Sequence, residues 1–171
     1  MMQNRNNNIT SRNKGYTIIE LLFYIAFFAV LALAVIDGMI TMTRAFKETT
    51  IQSELLQGGN IMERISREIR QAYSISSITA TDLVLNTKDA GGANKTVEFT
   101  FSGTNVQLLE NSILIGNLNT PNISVNAMTF TAINTNKGKA VKVFLTTKSN
   151  NDKLNRTNNF YNTIVLRGDY E

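Results

Sequence analysis

An unbroken apolar segment, Leu21 to Ile36, constrains this chain more than any other feature of its sequence. As a helix, this segment is about right in length to cross a bilayer core of about 30 Å. A basic, polar stretch ending at Gly15 precedes it, and a single carboxylate, Glu20, stands directly before it. Neither helix propensity nor core packing calls for an acid there. Because an ionisable group among membrane-spanning residues is costly, we expect Glu20 to be functional.

The cost of the Glu20 carboxylate identifies the kind of partner it needs. A carboxylate at the centre of a spanning helix is disfavoured by roughly 2.5–3.5 kcal/mol, and by less near the interface. One opposite charge at about 4 Å contributes about 4 kcal/mol at an effective dielectric of about 20, which offsets that cost. The cations Arg5, Arg12 and Lys14 are poor partners if they remain in the cytoplasm. An α-amino group created by cleavage after Gly15 is a better one, on the same helix or on that of a neighbouring subunit.

The junction between the basic stretch and the apolar segment reads KGYTIIELL, residues 14–22. It resembles the class III signal of type IV prepilins and of type II secretion pseudopilins. The resemblance implies that a prepilin peptidase cuts after Gly15 and that the new N-terminal residue, Tyr16, is N-methylated. It also implies that Glu20 is needed for docking into a helical filament. Tyr16 stands where the family most often has Phe.

Two simpler interpretations of the same segment stay open. Basic residues followed by an apolar run also form an ordinary secretory signal peptide, and Ala32-Leu33-Ala34 imitates its cleavage site. An uncleaved signal anchor is the other alternative. Against both, Glu20 falls inside the apolar region of such a signal. A mature chain starting at Val35 would indicate secretion, and a methylated Tyr16 start would indicate the prepilin interpretation.

Composition argues against several classes of function. The formal net charge of +4 falls to +1 without the three leader cations, so it is no argument for nucleic-acid binding. Basic residues before the apolar run predict a cytoplasmic N-terminus and an outward-facing remainder. The chain has no cysteine and no histidine, which removes disulfides and the commonest general base and metal ligand. We therefore predict no enzyme, no cofactor and no metal site.

The pattern predicts three regions. Residues 1–15 are an Asn-rich cytoplasmic leader, residues 16–75 one long helix, and residues 76–171 an extracytoplasmic β-rich domain. The helix is expected to be transmembrane over 16–36 and amphipathic over 37–75. In the amphipathic part, apolar residues recur at the three-and-four spacing of one helix face: Leu55, Met62, Ile65, Ile69 and Ala72. Glycine disfavours helix by about 1 kcal/mol relative to alanine, so weak points are expected at Gly38, Gly58 and Gly59.

Alternation of apolar and polar residues predicts antiparallel strands with one face buried. The candidates are Asp82–Asn86, Thr96–Phe101, Asn105–Leu109, Ser112–Ile115, Val125–Ala132, Ala140–Thr146 and Asn162–Arg167. An exposed loop is expected from Ser149 to Asn159. The predicted fold class is α+β, with the long helix packed on a C-terminal antiparallel sheet. Pilins share this plan, and residues 62–72 and 161–167 resemble the helix end and last strand of minor pilins and J-type pseudopilins.

Two further patterns bear on ligand binding. The acidic residues Asp82, Asp89, Glu98 and Glu110 are scattered, without the spacing of a calcium loop. The lysines at 137, 139, 142, 148 and 153 form a candidate basic patch for DNA, but no aromatic stacking pattern accompanies them in the sequence. A solvated sheet edge is the better interpretation, and we predict no nucleic-acid partner.

The sequence thus predicts a structural subunit of a type IV pilus or type II secretion pseudopilus. The resemblance implies a minor rather than a bulk subunit. Its expected partners are other pilin or pseudopilin subunits, prepilin peptidase, the assembly platform and the membrane. The predicted location is the cytoplasmic (inner) membrane, single-pass, and then the filament. Two alternatives remain: a membrane-anchored binding or adhesion module that does not polymerise, and a secreted enzyme that uses carboxylates alone.

Overall fold

A computed structural model describes residue 15 and residues 17–135 and 138–167. Within these residues, one helix, α1, spans Ile18–Gln71 and is followed by eight strands. The strands are β1 (Ser74–Ile78), β2 (Asp82–Lys88), β3 (Asn94–Ser102), β4 (Asn105–Glu110), β5 (Ile113–Asn117), β6 (Ile123–Thr135), β7 (Gly138–Ser149) and β8 (Thr157–Val165). The chain divides into two compact units, the first ending at Phe46 and the second beginning at Lys47. This is an α+β chain with a long, apolar N-terminal helix.

The strands form two antiparallel sheets rather than the single sheet expected from the sequence. Strands β1 to β5 pair in chain order, and β6, β7 and β8 form a three-stranded sheet. Within the described residues, backbone hydrogen bonds join β6 to two turns of the first sheet: Phe130 N–H donates to the Ala80 carbonyl at 3.0 Å, and Val125 N–H to the Thr104 carbonyl at 2.9 Å. A bulge between Val125 and Ala127 interrupts the register of β6 near the second of these bonds. A bulge of this kind bends its strand locally.

The core of the second unit lies between the end of α1 and the inward faces of both sheets. The predicted helical stripe is confirmed, since Leu55, Met62, Ile65, Ile69 and Ala72 are all buried. From the sheets, the core takes residues at alternate positions, among them Leu83, Leu85, Val97, Phe99, Val141, Val143 and Leu145. Because strand side chains alternate between faces, the intervening residues of each strand point outward.

The predicted strands each overlap a strand of the structure, with two errors. Strand β1 was missed because three of its five residues are serines, which give no strand pattern; it forms by pairing with β2. Strand β8 begins at Thr157, so the predicted loop from Ser149 to Asn159 is too long at its end. The register Lys148↔Thr157 shows the reason: pairing with β7 holds polar residues in a strand that their own propensity does not favour.

Candidate functional site

The N-terminal turn of α1 is capped by Thr17. Its carbonyl accepts hydrogen bonds from Glu20 N–H at 3.0 Å and from Leu21 N–H at 3.2 Å. Its hydroxyl oxygen also accepts from Glu20 N–H, at 3.4 Å. Threonine is a favourable residue at this position because its side chain satisfies a backbone donor that the helix leaves unpaired. The helix therefore begins two residues after Tyr16, which lies outside the described residues.

Glu20 stands in the first turn of α1, three residues after the cap, and is partly exposed. The Tyr24 hydroxyl donates a long hydrogen bond of 3.4 Å to its carboxylate. The spacing Thr17-x-x-Glu20 is that of a capping box, and acids near a helix N-terminus are stabilised by the helix dipole. This corrects the expectation that local structure has no use for an acid at position 20. A cap contributes about 1 kcal/mol, less than the cost of a carboxylate deep in a membrane.

Beyond Glu20 the first unit exposes an apolar surface. Large apolar side chains from Ile18 to Phe46 are exposed to between 45% (Ile40) and 81% (Ile18). An 18-residue window of α1 has a mean hydropathy of 2.7, and none of it is buried within the chain. By length and composition, α1 is able to cross a membrane. A continuous apolar surface of this size marks contact with a membrane or with another protein.

The other predicted site residues fall into two groups. Arg5, Arg12, Lys14 and Tyr16 lie outside the described residues. Gly15 is exposed and outside the helix, with no atom within 4 Å of the position that a Cβ would take. Gly38 lies within α1 and also faces open space.

Gly58 and Gly59 differ in their surroundings although both lie within α1. A Cβ at Gly58 would lie 2.2 Å from Cε2 of Phe160, a side chain of β8 that packs against the core. At Gly59 the nearest atom would be 3.8 Å away, which is ordinary contact. Glycine at position 58 therefore lets the aromatic ring lie directly on the helix backbone, and a larger residue would displace the ring. The sequence pattern alone suggested only a weak point in the helix here.

Arg156 fastens the loop between β7 and β8 to α1. Its guanidinium donates to both carboxylate oxygens of Glu48, at 2.5 Å and 2.9 Å, and its Nε donates to Asp152 at 2.8 Å. Asp152 is buried and also accepts from the backbone N–H groups of Leu154 and Arg156, each at 3.0 Å. Arginine suits this position because its planar fork binds a carboxylate with two parallel bonds.

A second carboxylate joins the same loop to the helix. Glu54 on α1 is buried, accepting a hydrogen bond from the Ser149 hydroxyl and another, 2.8 Å long, from the Asn151 amide. Buried charge is tolerated only where such donors surround it. Glu48, Glu54, Asp152 and Arg156 thus form a set of contacts, here called the loop clamp. In a chain without cysteines, the loop clamp tethers residues 149–156 without a covalent bond.

The loop clamp predicts a loss of stability in acid. Hydrogen bonding from Arg156 lowers the pKa of Glu48 from 4.5 to about 2 and that of Asp152 from 3.8 to about 2. Because both folded-state pKa values are depressed, the unfolded chain binds more protons between pH 4.5 and 2. The stabilisation is therefore complete above about pH 4.5 and is lost as the pH falls toward 2. Urea unfolding of the full-length chain in micelles, repeated from pH 6 to pH 2.5, measures this slope.

Arg156→Gln supplies the control for the acid dependence. Without the guanidinium, both carboxyls should titrate near their ordinary values, and the slope between pH 4.5 and 2.5 should flatten. An identical slope in the wild-type chain and in Arg156→Gln would mean that other carboxylates control acid unfolding.

Among the described residues, no group of three or more Asp and Glu side chains is arranged to hold a metal ion. Loop-clamp carboxylates are instead occupied by protein donors. Comparison of the chain with protein-family models, with curated proteins and with solved structures finds no match. The features of the chain that indicate a function are therefore the residues around Gly15 and Glu20 and the exposed apolar surface of α1.

Proposed function

We propose that this chain is the precursor of a filament subunit of the type IV pilin and pseudopilin class. The observation that carries the proposal is the position of Glu20, a carboxylate in the first turn of a helix whose following apolar side chains are exposed. Such a helix needs an apolar environment, and in that environment the carboxylate needs a cation. Cleavage after Gly15 supplies one, the α-amino group of Tyr16.

The start of α1 is compatible with that cleavage. A peptidase needs an extended, accessible backbone, and helical hydrogen bonds would have to be broken if the cut fell within a helix. Gly15 is exposed and lies outside α1, while the helix is capped at Thr17. The proposed scissile bond, between Gly15 and Tyr16, therefore precedes the first helical residue, Ile18.

In the proposed filament, the apolar surface of α1 no longer contacts lipid and packs against the helices of neighbouring subunits instead. Four alanines, at positions 26, 29, 32 and 34, are interspersed among the larger apolar side chains of residues 21–36, which allows close helix packing. Each Glu20 carboxylate pairs with a Tyr16 amine of the same or a neighbouring subunit. A pair between subunits also sets the axial register. Prepilin peptidase and an assembly platform in the cytoplasmic membrane are the partners this proposal requires.

The first test is the mass of the N-terminal peptide. After expression with a prepilin peptidase, we expect a mature chain that starts at N-methylated Tyr16. A Gly15→Val variant should remain at full length in the membrane, because a bulky residue blocks cleavage. A chain that keeps its first fifteen residues in the presence of active peptidase, or one that begins at Val35, contradicts the proposal.

The membrane-anchored module that does not polymerise makes a different prediction. Such a module depends on membrane insertion and on the surface of the second unit, but not on the charge of Glu20. Fractionation and filament shearing separate the two: a subunit appears in the sheared filament fraction, whereas an anchored module stays with the membrane.

A further inference from the structure

The outward face of the three-stranded sheet carries an aromatic pair beside a lysine. Phe144 of β7 and Tyr161 of β8 are directly opposite in register, with ring centroids 4.8 Å apart and planes inclined at 31°. Two residues along β7, Lys142 lies between Thr131 of β6 and Thr163 of β8. The sequence alone gave no sign that lysine and aromatic side chains meet, because strand pairing brings them together.

These side chains line a shallow depression of about 300 Å³, formed by Thr129, Thr131, Lys142, Phe144 and Tyr161. That volume is at the lower end of ligand sites, which are roughly 300–1,000 Å³. Tyr161 is 67% exposed, so one face of its ring is open to a ligand. A cross-strand aromatic pair stabilises the sheet, but that role does not require so much of the second ring to remain exposed.

The charged side chains of the three-stranded sheet are all positive. Strands β6, β7 and β8 contain no Asp or Glu. Within residues 17–135 and 138–167, Lys142 has no ion-pair partner. Lys142 is also exposed, so its ammonium group can reach an anion in solution. The depression combines one cation, one exposed aromatic face and two threonine hydroxyls, Thr129 and Thr131.

We infer that this depression binds an acidic sugar unit of a carbohydrate chain. The C–H bonds on one face of a pyranose ring carry partial positive charge and stack on the negative face of an aromatic ring. The threonine hydroxyls donate to and accept from the sugar hydroxyls, and Lys142 pairs with the carboxylate. The inference does not depend on filament assembly, because all of these groups belong to the second unit.

Single-stranded nucleic acid fits the same face less well. Binding a strand requires a row of cations along several phosphates and aromatic platforms for successive bases. The depression has one lysine and one stacked pair. One negative charge attached to one ring-shaped, hydroxyl-rich unit is the ligand that these groups match.

The test is calorimetric titration of the full-length chain in neutral lipid nanodiscs. Trigalacturonate is the probe, and the neutral galactose trimer is its matched control, since it has the same ring stereochemistry without carboxylates. We expect the acidic trimer to bind at least about tenfold more tightly at low salt, with the difference shrinking as salt screens the Lys142 charge. Equal affinity for the two trimers, no measurable binding, or tighter binding of a thymidine oligonucleotide would overturn the inference.

Single substitutions test the role of each side chain in the depression. Tyr161→Ala should weaken both trimers, whereas Tyr161→Phe, which keeps the ring, should retain binding. Lys142→Gln should remove the preference for the acidic trimer, and Lys153→Gln, an exposed lysine in the loop before β8, should not. Amide hydrogen exchange of β7 and β8 verifies that each variant is folded. If Lys142→Gln keeps the full preference for trigalacturonate in a folded chain, the carboxylate is bound elsewhere and the inference is wrong.

Discussion

Replacing Glu20 with alanine is expected to abolish incorporation of the chain into filaments while leaving membrane insertion intact. In the proposed filament the carboxylate and a Tyr16 amine form an ion pair away from water. A unit pair at about 4 Å contributes about 4 kcal/mol at an effective dielectric of about 20, equivalent to about three powers of ten in an equilibrium constant. The measurement is the amount of the chain in the sheared filament fraction relative to the membrane fraction.

Glu20→Gln distinguishes charge pairing from helix capping. Glutamine serves as well as glutamate in a capping box, so this variant keeps the hydrogen-bonding capacity at the helix start and removes only the charge. We expect Glu20→Gln to be as defective in assembly as Glu20→Ala. Cleavage at Gly15 and unfolding of the second unit should be unchanged in both, because Glu20 belongs to the first unit. Normal filament levels in Glu20→Gln would indicate that the acid serves only as a cap.

The amphipathic part of α1 and the paired strands were predictable because their patterns are local. Ile65 and Ile69 are four residues apart and lie on one helix face, and both are fully buried. Along β7, Val141, Val143 and Leu145 alternate with outward-facing residues, as the period of two predicted. Patterns of this kind follow from backbone geometry alone. They do not determine which strands become neighbours, so two sheets formed where one was expected.

The candidate sites also differ in whether their contacts are local in the sequence. The cap at Thr17 was readable from the sequence as the local signal Thr17-x-x-Glu20, although we expected no local role for Glu20. The loop clamp was not, because Arg156 and Glu48 are 108 residues apart and their pairing depends on how the loop before β8 meets α1. The same holds for the depression beside Lys142, where the stacked partner of Phe144 comes from another strand. Long-range contacts of this kind have no periodic signature in the sequence.

Gly58→Ala is expected to destabilise the second unit, and Gly59→Ala to stabilise it. Alanine favours helix over glycine by about 1 kcal/mol at either position. At position 58 the new methyl group meets the Phe160 ring at 2.2 Å, and overpacking of this kind costs about 1–3 kcal/mol. At position 59 the nearest contact is 3.8 Å, so only the helical gain remains. The two variants should differ by about 2 kcal/mol in the free energy of opening of β7 and β8, measured by amide hydrogen exchange.

Phe160→Ala tests whether the aromatic ring is the cause. Removing the ring destabilises the sheet by itself, because Phe160 packs against the core. In that background, however, Gly58→Ala no longer meets an obstacle and should become stabilising, as Gly59→Ala is in both backgrounds. A change of sign at position 58 that depends on Phe160 establishes direct coupling between α1 and β8. If Gly58→Ala has the same effect with and without the ring, glycine is present at this position for a reason other than close packing.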